Sequence, residues 1–241
     1  MYHCRSAATS PRRNSADIAF PTFRGYTGRV GPPLKFRFNF DKFVAALGIL
    51  LERCGPMTKL KIVKLLYLAD RRHFNVYGRP VIGDRYIRMG LGPVPTVSKE
   101  LIDQLEEDVM LHIRPAVEGK ELAKYFKVDR KHKYPLISLG KAPSCDSLSE
   151  SDVETLEWVA KEYGKLKASS LVNITHRHAA WKETESLGEI DYRLFPKDDK
   201  AATKGVVELA EAEQDEKAEV IAAFSRVTPT RPTPKALLAT R

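Results

Sequence analysis

Asp70 and His73 are residues whose types and spacing could do chemistry. They lie three apart in a stretch that reads as helix, so they are neighbours on one face. A carboxylate beside an imidazole is a minimal general acid–base pair. Two more histidines, His176 and His178, follow in Thr175-His176-Arg177-His178, with Trp181 just beyond. Paired histidines can begin a metal site. Residues two apart on a helix do not share a face, however, and no third ligand accompanies these, so no metal and no cofactor is expected. The acid–base pair is equally isolated, with no Ser/Cys–His–Asp order or phosphate-binding loop near it. Its other use is structural: a polar staple from one helix to the segment after it. The chain is therefore expected not to be an enzyme, and a hydrolase using Asp70 and His73 is the weaker alternative.

The element that must position this pair runs from Thr58 to Tyr77. At about 100° per residue, Lys61, Lys64, Leu68, Arg71, Arg72 and Asn75 fall on one arc. Leu60, Ile62, Val63, Leu65, Leu66, Tyr67, Ala69, Phe74, Val76 and Tyr77 fill the rest. So wide an apolar arc places the helix at the centre of a helical core, with a cationic stripe turned outward. Gly78 closes it, and Arg79-Pro80 forbids its continuation. Val81 to Met89 reads as extended chain with a turn at Gly83-Asp84. Gly90-Leu91-Gly92-Pro93-Val94-Pro95 reads as a rigid, shaped loop, whose prolines remove the amide donors that a phosphate cradle would need.

On either side the pattern is mainly helical. Asn39 to Arg53 carries a stripe of Phe43, Val44, Leu47, Leu50 and Leu51, with Asn39 or Asp41 as cap. Thr96 can cap a helix over Val97 to Glu107. Three short strands are expected, at Val109–Val117, around Tyr125–Val128 and at Leu136–Leu139. Ser149 to Tyr163 opens with a capping box, either Ser149 with Asp152 or Ser151 with Glu154. A shorter helix follows from about Ser169 to His178. The expected fold is α+β, mainly α: a compact helical bundle with a small antiparallel sheet or hairpin, flanked by mobile tails. The folded domain is placed at 39–196, between a basic leader (1–38) and a C-terminal tail (197–241) in which Gly205 to Val227 could form one helix.

The motif chain along this region resembles the Panacea domain, the SocA-like antitoxin domain of bacterial and phage toxin–antitoxin pairs. The matching positions are Lys64, Leu65, Leu66, Tyr67, Ala69, Asp70, His73, Tyr77, Gly78, Arg79, Pro80, Gly83, Asp84, Tyr86, Gly92, Pro93, Val94 and Pro95. The resemblance implies a protein that neutralises a cognate toxin, encoded next to it, by direct protein binding, with phage defence as one setting. The expected partner contacts are Arg71, Arg79, Asp84, Tyr86, Arg88 and the loop Gly92, Pro93, Val94 and Pro95. Tyr67, Asp70, His73, His176 and Trp181 are expected to be structural polar supports for that surface.

Charge and composition bear on the alternatives. The chain carries +9 over 241 residues. Seven cations, Arg5, Arg12, Arg13, Arg24, Arg29, Lys35 and Arg37, stand in the leader against Asp17 alone. A nucleic-acid footprint should instead concentrate on the folded domain. No recognition helix of the helix-turn-helix kind is evident, so DNA-binding regulation of its own operon is the alternative reading, with only weak nucleic-acid binding. No apolar run reaches membrane-spanning length. Cys4, Cys54 and Cys145 are scattered and odd in number, which suits a reducing cytoplasm. Self-association as a homo-oligomer is left open.

Overall fold

The computed structural model describes residues 33–107 and 121–227. The expected strand at Val109–Val117 and most of the basic leader lie outside these residues. In chain order the elements are α1 (Phe40–Cys54), β1 (Met57–Thr58), α2 (Lys59–Tyr77), β2 (Tyr86–Met89), β3 (Gly92–Pro95), α3 (Thr96–Glu107), β4 (Phe126–Asp129), β5 (Leu136–Leu139), α4 (Glu150–Tyr163), α5 (Ala168–Thr175), α6 (Ala179–Lys182), a 3₁₀ turn (Tyr192–Leu194) and α7 (Val206–Val227). The fold is α+β, mainly α, with two small antiparallel sheets. Among the described residues, no helix is long and apolar enough to cross a membrane.

Helix α2 is the hub. It packs against α1, α3, α4, α5, α7, β1 and β3. Because neighbours surround it, its polar arc is not a surface stripe as the sequence suggested. Lys64 is fully buried, and Leu68 and Asn75 are buried with it. The amphipathic pattern alone could not reveal this, because β3 and α5 close over Lys64 and the segment before α7 closes over Asn75, all from far along the chain. Gly78 ends α2 in the left-handed region, at φ 74°, where a side chain would be strained. The last-turn carbonyls of α2 are met from far along the chain. Thr203 donates its backbone N–H to Asn75 O at 2.8 Å and its hydroxyl to Val76 O at 2.9 Å.

Beside α2 lies the first sheet, a hairpin. Strand β2 pairs antiparallel with β3, Tyr86 opposite Pro95 and Met89 opposite Gly92. This corrects the expected loop at Gly92–Pro95, which is a paired strand and is buried throughout. Two prolines fit there because ladder bonds on one edge of an antiparallel pair fall at alternate residues. Pro93 and Pro95 are two apart, and Gly92 and Val94 are left to pair. Gly90-Leu91 alone makes the turn. On its other edge β2 meets 187–190, with Arg88 N–H donating to Gly188 O at 3.0 Å and Ile190 N–H to Tyr86 O at 2.8 Å.

The second sheet has the order β1-β5-β4 and holds both strands expected after Tyr125. Asn39, not Asp41, caps α1, accepting Lys42 N–H at 3.0 Å. Of the two candidate capping boxes on α4, Ser149 with Asp152 is the one formed.

Residues on both sides of 39–196 pack against this core. Leu34 is buried, and Phe36 packs edge-on against Tyr192 (4.8 Å between ring centroids) and Phe74 (5.9 Å), so 34–38 is part of the folded unit rather than the leader. The tail is equally engaged: Val206 and Ala210 are buried, and Gln214 clasps the Lys35 backbone, donating to its carbonyl at 2.8 Å.

Candidate functional site

The expected supports and contacts cluster where α2 holds the β2–β3 hairpin. Asp70 is fully buried at their junction. It accepts the Ile82 backbone N–H at 2.8 Å and the Tyr86 hydroxyl at 3.0 Å. Tyr192 donates its hydroxyl to Asp84 O at 2.7 Å and lies 3.4 Å from Asp70. Burial pushes the Asp70 carboxyl up to about 7, although the Ile82 amide and Tyr86 hydroxyl favour its ionised form. Around it stand Tyr67, Tyr86, Tyr192 and Phe195, with ring centroids 4.5–6.0 Å apart. Edge-on aromatic pairs of this kind add about 1 kcal/mol each beyond their buried area.

His73 serves a different element. Its Nδ1 is 2.6 Å from Arg79 O, and a carbonyl only accepts, so Nδ1 carries the proton. Nε2 lies 3.1 Å from both the Ser151 hydroxyl and the Asp152 carboxylate. Burial lowers the His73 pKa, although the Arg79 carbonyl and the Asp152 carboxylate favour the charged ring. Asp70 fastens α2 to the chain after it, and His73 fastens α2 to the Gly78-Arg79 turn and α4. Each side chain has its own partners, as a pair of staples would, and no shared proton links them.

Asp152 was legible only as half of a capping box, but it is a charge hub. It is buried and takes Lys42 Nζ at 2.6 Å and Arg79 Nη1 at 3.0 Å, as well as the Ser149 N–H at 2.9 Å. Burial opposes its ionisation, yet Lys42, the Ser149 amide and Arg79 hold its carboxyl below the ordinary value. Lys42 could not be singled out from sequence because its partner lies 110 residues away.

The nominated partner contacts divide sharply by position. Asp84 is buried and accepts from Val97 N–H at 3.1 Å, Ser98 N–H at 2.7 Å and the Ser98 hydroxyl at 2.6 Å. It therefore caps α3 from a distance. Tyr86 and Gly92–Pro95 are buried too. Arg71 turns to the C-terminal segment, 3.0 Å from Asp198 and 3.4 Å from Asp199. Arg79 is bound to Asp152, Ser149 and Ser151. These positions build the site from within, and no free surface is offered by the buried ones.

Arg88 is half-buried on the outer side of the hairpin. Its guanidinium sits 4.5 Å from the centre of the Trp181 ring, a cation–π contact. His176 stacks on the same indole at 4.0 Å, and Trp181 Nε1 donates to Met89 O at 3.0 Å. His178 instead meets Tyr67, hydroxyl to Nδ1 at 3.1 Å, and burial lowers its pKa to about 4. The two histidines thus have separate partners. Among the described residues, no group of three His, Cys, Asp or Glu is placed to hold a metal ion.

Lys64 completes the junction. Its Nζ donates to Pro93 O at 2.6 Å, tying α2 to β3, and burial pushes its pKa down to about 7. Gly92 leaves room for it: at φ 98°, an added Cβ would stand 2.7 Å from Thr175 Oγ1 and 3.1 Å from Lys64 Nζ.

The sequence reading overlooked the outward apolar residues of this region. Leu91 is 57% exposed, Met89 38% and Tyr134 65%. The signal for Leu91 was present, since a leucine between two glycines sits at the tip of a turn with nothing to bury it.

No curated protein and no solved structure matches the chain. A family model does, that of the antitoxin SocA-like, Panacea domain, over residues 62–182. That span runs from the first turns of α2 through the hairpin to the end of α6, half of the sequence, and the chain belongs to the SocA-like antitoxin, Panacea domain family.

Proposed function

We propose that this chain is the antitoxin of a bacterial toxin–antitoxin pair, acts in the cytoplasm, and neutralises its cognate toxin by direct protein–protein contact. The family match over residues 62–182 carries this reading. Its physical support is the way the hairpin is held. Asp70, Lys64, Asp84 and Trp181 each bond to the hairpin or to its flanks, so the face it presents is ordered before any partner arrives. A preorganised face loses little conformational freedom on binding. Arg88, Met89 and Leu91 supply the contact on this reading, while Asp84, Tyr86 and Gly92–Pro95 hold them in place. Asp70 and His73 act as supports and not as a hydrolytic pair, because both are spent on internal bonds.

Co-expression tests this reading. The adjacent open reading frame is induced in bacteria with and without this chain, each from an unrelated promoter. Growth arrest by the neighbour alone, relieved when this chain is supplied, is the expected result. A neighbour that is harmless, or toxic but never relieved, would remove the antitoxin reading.

A further inference from the structure

Two depressions flank the first turn of α2. One is an apolar groove of about 720 Å³, whose walls include Leu60, Val63, Met89, Leu91, Val94 and Tyr134. The other is a basic cleft of about 740 Å³ that gathers Arg53, Lys61, Lys161 and Lys165. Consecutive residues separate them, for Leu60 lines the groove and Lys61 the cleft. The α4–α5 connection does the same, with Lys165 in the cleft and Ala168 in the groove. Among the described residues that line the cleft, the one carboxylate, Glu157, is engaged by Arg53 at 2.7 Å. Lys61 gives one N–H to Gly164 O at 2.5 Å, which leaves its charge uncompensated by that bond. The groove's own cations are answered within the chain, Lys59 by Asp103 and Glu106 and Lys99 by Asp103. The surface is thus apolar on one side and positive on the other.

We infer that groove and cleft form a single docking surface for a toxin segment that presents apolar side chains next to carboxylates. This rests on the antitoxin reading and goes beyond it by naming the face and the chemistry of what it takes. The apolar side chains of the segment cover Leu91, Met89 and Tyr134, which are large and exposed in the free chain. Its carboxylates meet Lys61, Lys161 and Lys165. The apolar half supplies most of the affinity, and the charged half supplies register and encounter rate. A neutral apolar segment would leave the cleft unused, and an acidic one without apolar residues would leave the groove wet.

The test uses the full chain and the purified product of the adjacent open reading frame, by titration calorimetry and by growth rescue. Leu91→Asp is expected to weaken binding by about 10-fold or more, as removal of a central apolar anchor does. Lys161→Glu with Lys165→Glu is expected to weaken it about 10-fold and to flatten its salt dependence. Leu91→Ser and Tyr134→Ser remove contact without adding charge, and unchanged melting of each variant shows that the fold is kept. If the wild-type chain binds and rescues, and every variant does so within about 2-fold, the docking surface is wrong and the antitoxin reading stands. If the wild-type chain neither binds nor rescues, both fall. If Leu91→Asp leaves rescue intact but abolishes self-association of the free chain, the groove is a homo-oligomer contact and the inference is overturned. RNA binding lost in the double lysine variant, with toxin binding unchanged, also overturns it.

Discussion

The Asp84 carboxylate accepts the Ser98 backbone N–H at 2.7 Å, reaching across the β2–β3 hairpin to the first turn of α3. The hairpin thereby lies between a helix cap and the residue that supplies it. Local caps satisfy the free amides of a helix from the residue just before it. Here a residue from before the hairpin does so, and hairpin and helix are fixed together.

Asp84→Ala should therefore cost more than the loss of an ordinary cap. Three donors, the Val97 and Ser98 amides and the Ser98 hydroxyl, lose their acceptor at a buried position. A loss of ~2–4 kcal/mol is expected, measured by urea unfolding. Asp84→Asn keeps one acceptor oxygen and should lose less than half of that.

Lys64 gives a pH signature. Its native pKa of about 7 lies below the model-compound value of 10.5 because of burial. A lowered lysine means that the unfolded chain binds the proton more tightly, so its contribution to stability is present above pH 10.5 and is lost as pH falls toward 7. Lys64→Met removes this dependence. Relative to wild type, the variant should lose ground by more than ~2 kcal/mol between pH 7 and 10. Parallel melting curves across that range would contradict the assignment.

Asp152 gives the opposite limb. Its carboxyl is held below the ordinary value of 3.8, so its contribution is present above that value and is lost as pH falls below it. Asp152→Asn should flatten the acid limb of stability. At pH 7 it should cost ~2–4 kcal/mol, because Lys42 and Arg79 lose a buried counter-charge. Chemical unfolding at pH 3 and pH 7 separates the two effects.

Ending the chain at Pro196 should destabilise the domain, although the sequence alone placed its edge there. The cut removes Asp198 and Asp199 from Arg71, Asp199 from Asn75, and buried Val206 and Ala210 from α2. A loss of several kcal/mol, roughly 3 or more, is expected on burial alone. The chain ended at 196 should melt well below the full chain.

Gly92→Ala should cost ~2 kcal/mol or more. The added Cβ meets Thr175 Oγ1 at 2.7 Å, and φ 98° lies where side chains are strained. Amide exchange should show the hairpin loosening before α1 or α4.

Much of the scaffold was legible in the sequence. Caps and glycines are local signals, so α1, α2 and α4 were found almost to the residue. Asp70 and His73 were visible as polar breaks in an apolar arc. The site was harder to read, since its bonds are long-range. Nothing near Asp84 in sequence announces that it caps a helix beginning at Thr96, and nothing near Lys64 announces that Pro93 and Thr175 will enclose it. An amphipathic pattern shows which face is apolar, but it cannot show that a polar face will be covered by Asp198, Asp199 and Val206. The proline strand was misread for a related reason: proline removes a donor, and only the register with β2 reveals that the donor was not needed.

Neutralisation by direct contact is tested most directly by co-purification from cells that survive only through this chain. The tagged full chain and the untagged product of the adjacent open reading frame are expressed from unrelated promoters, and the isolated material is weighed by light scattering. A single species whose mass is a whole-number sum of the two chains, obtained from rescued cells, is the expected result. Rescue without a complex, with each chain running alone, would contradict the account.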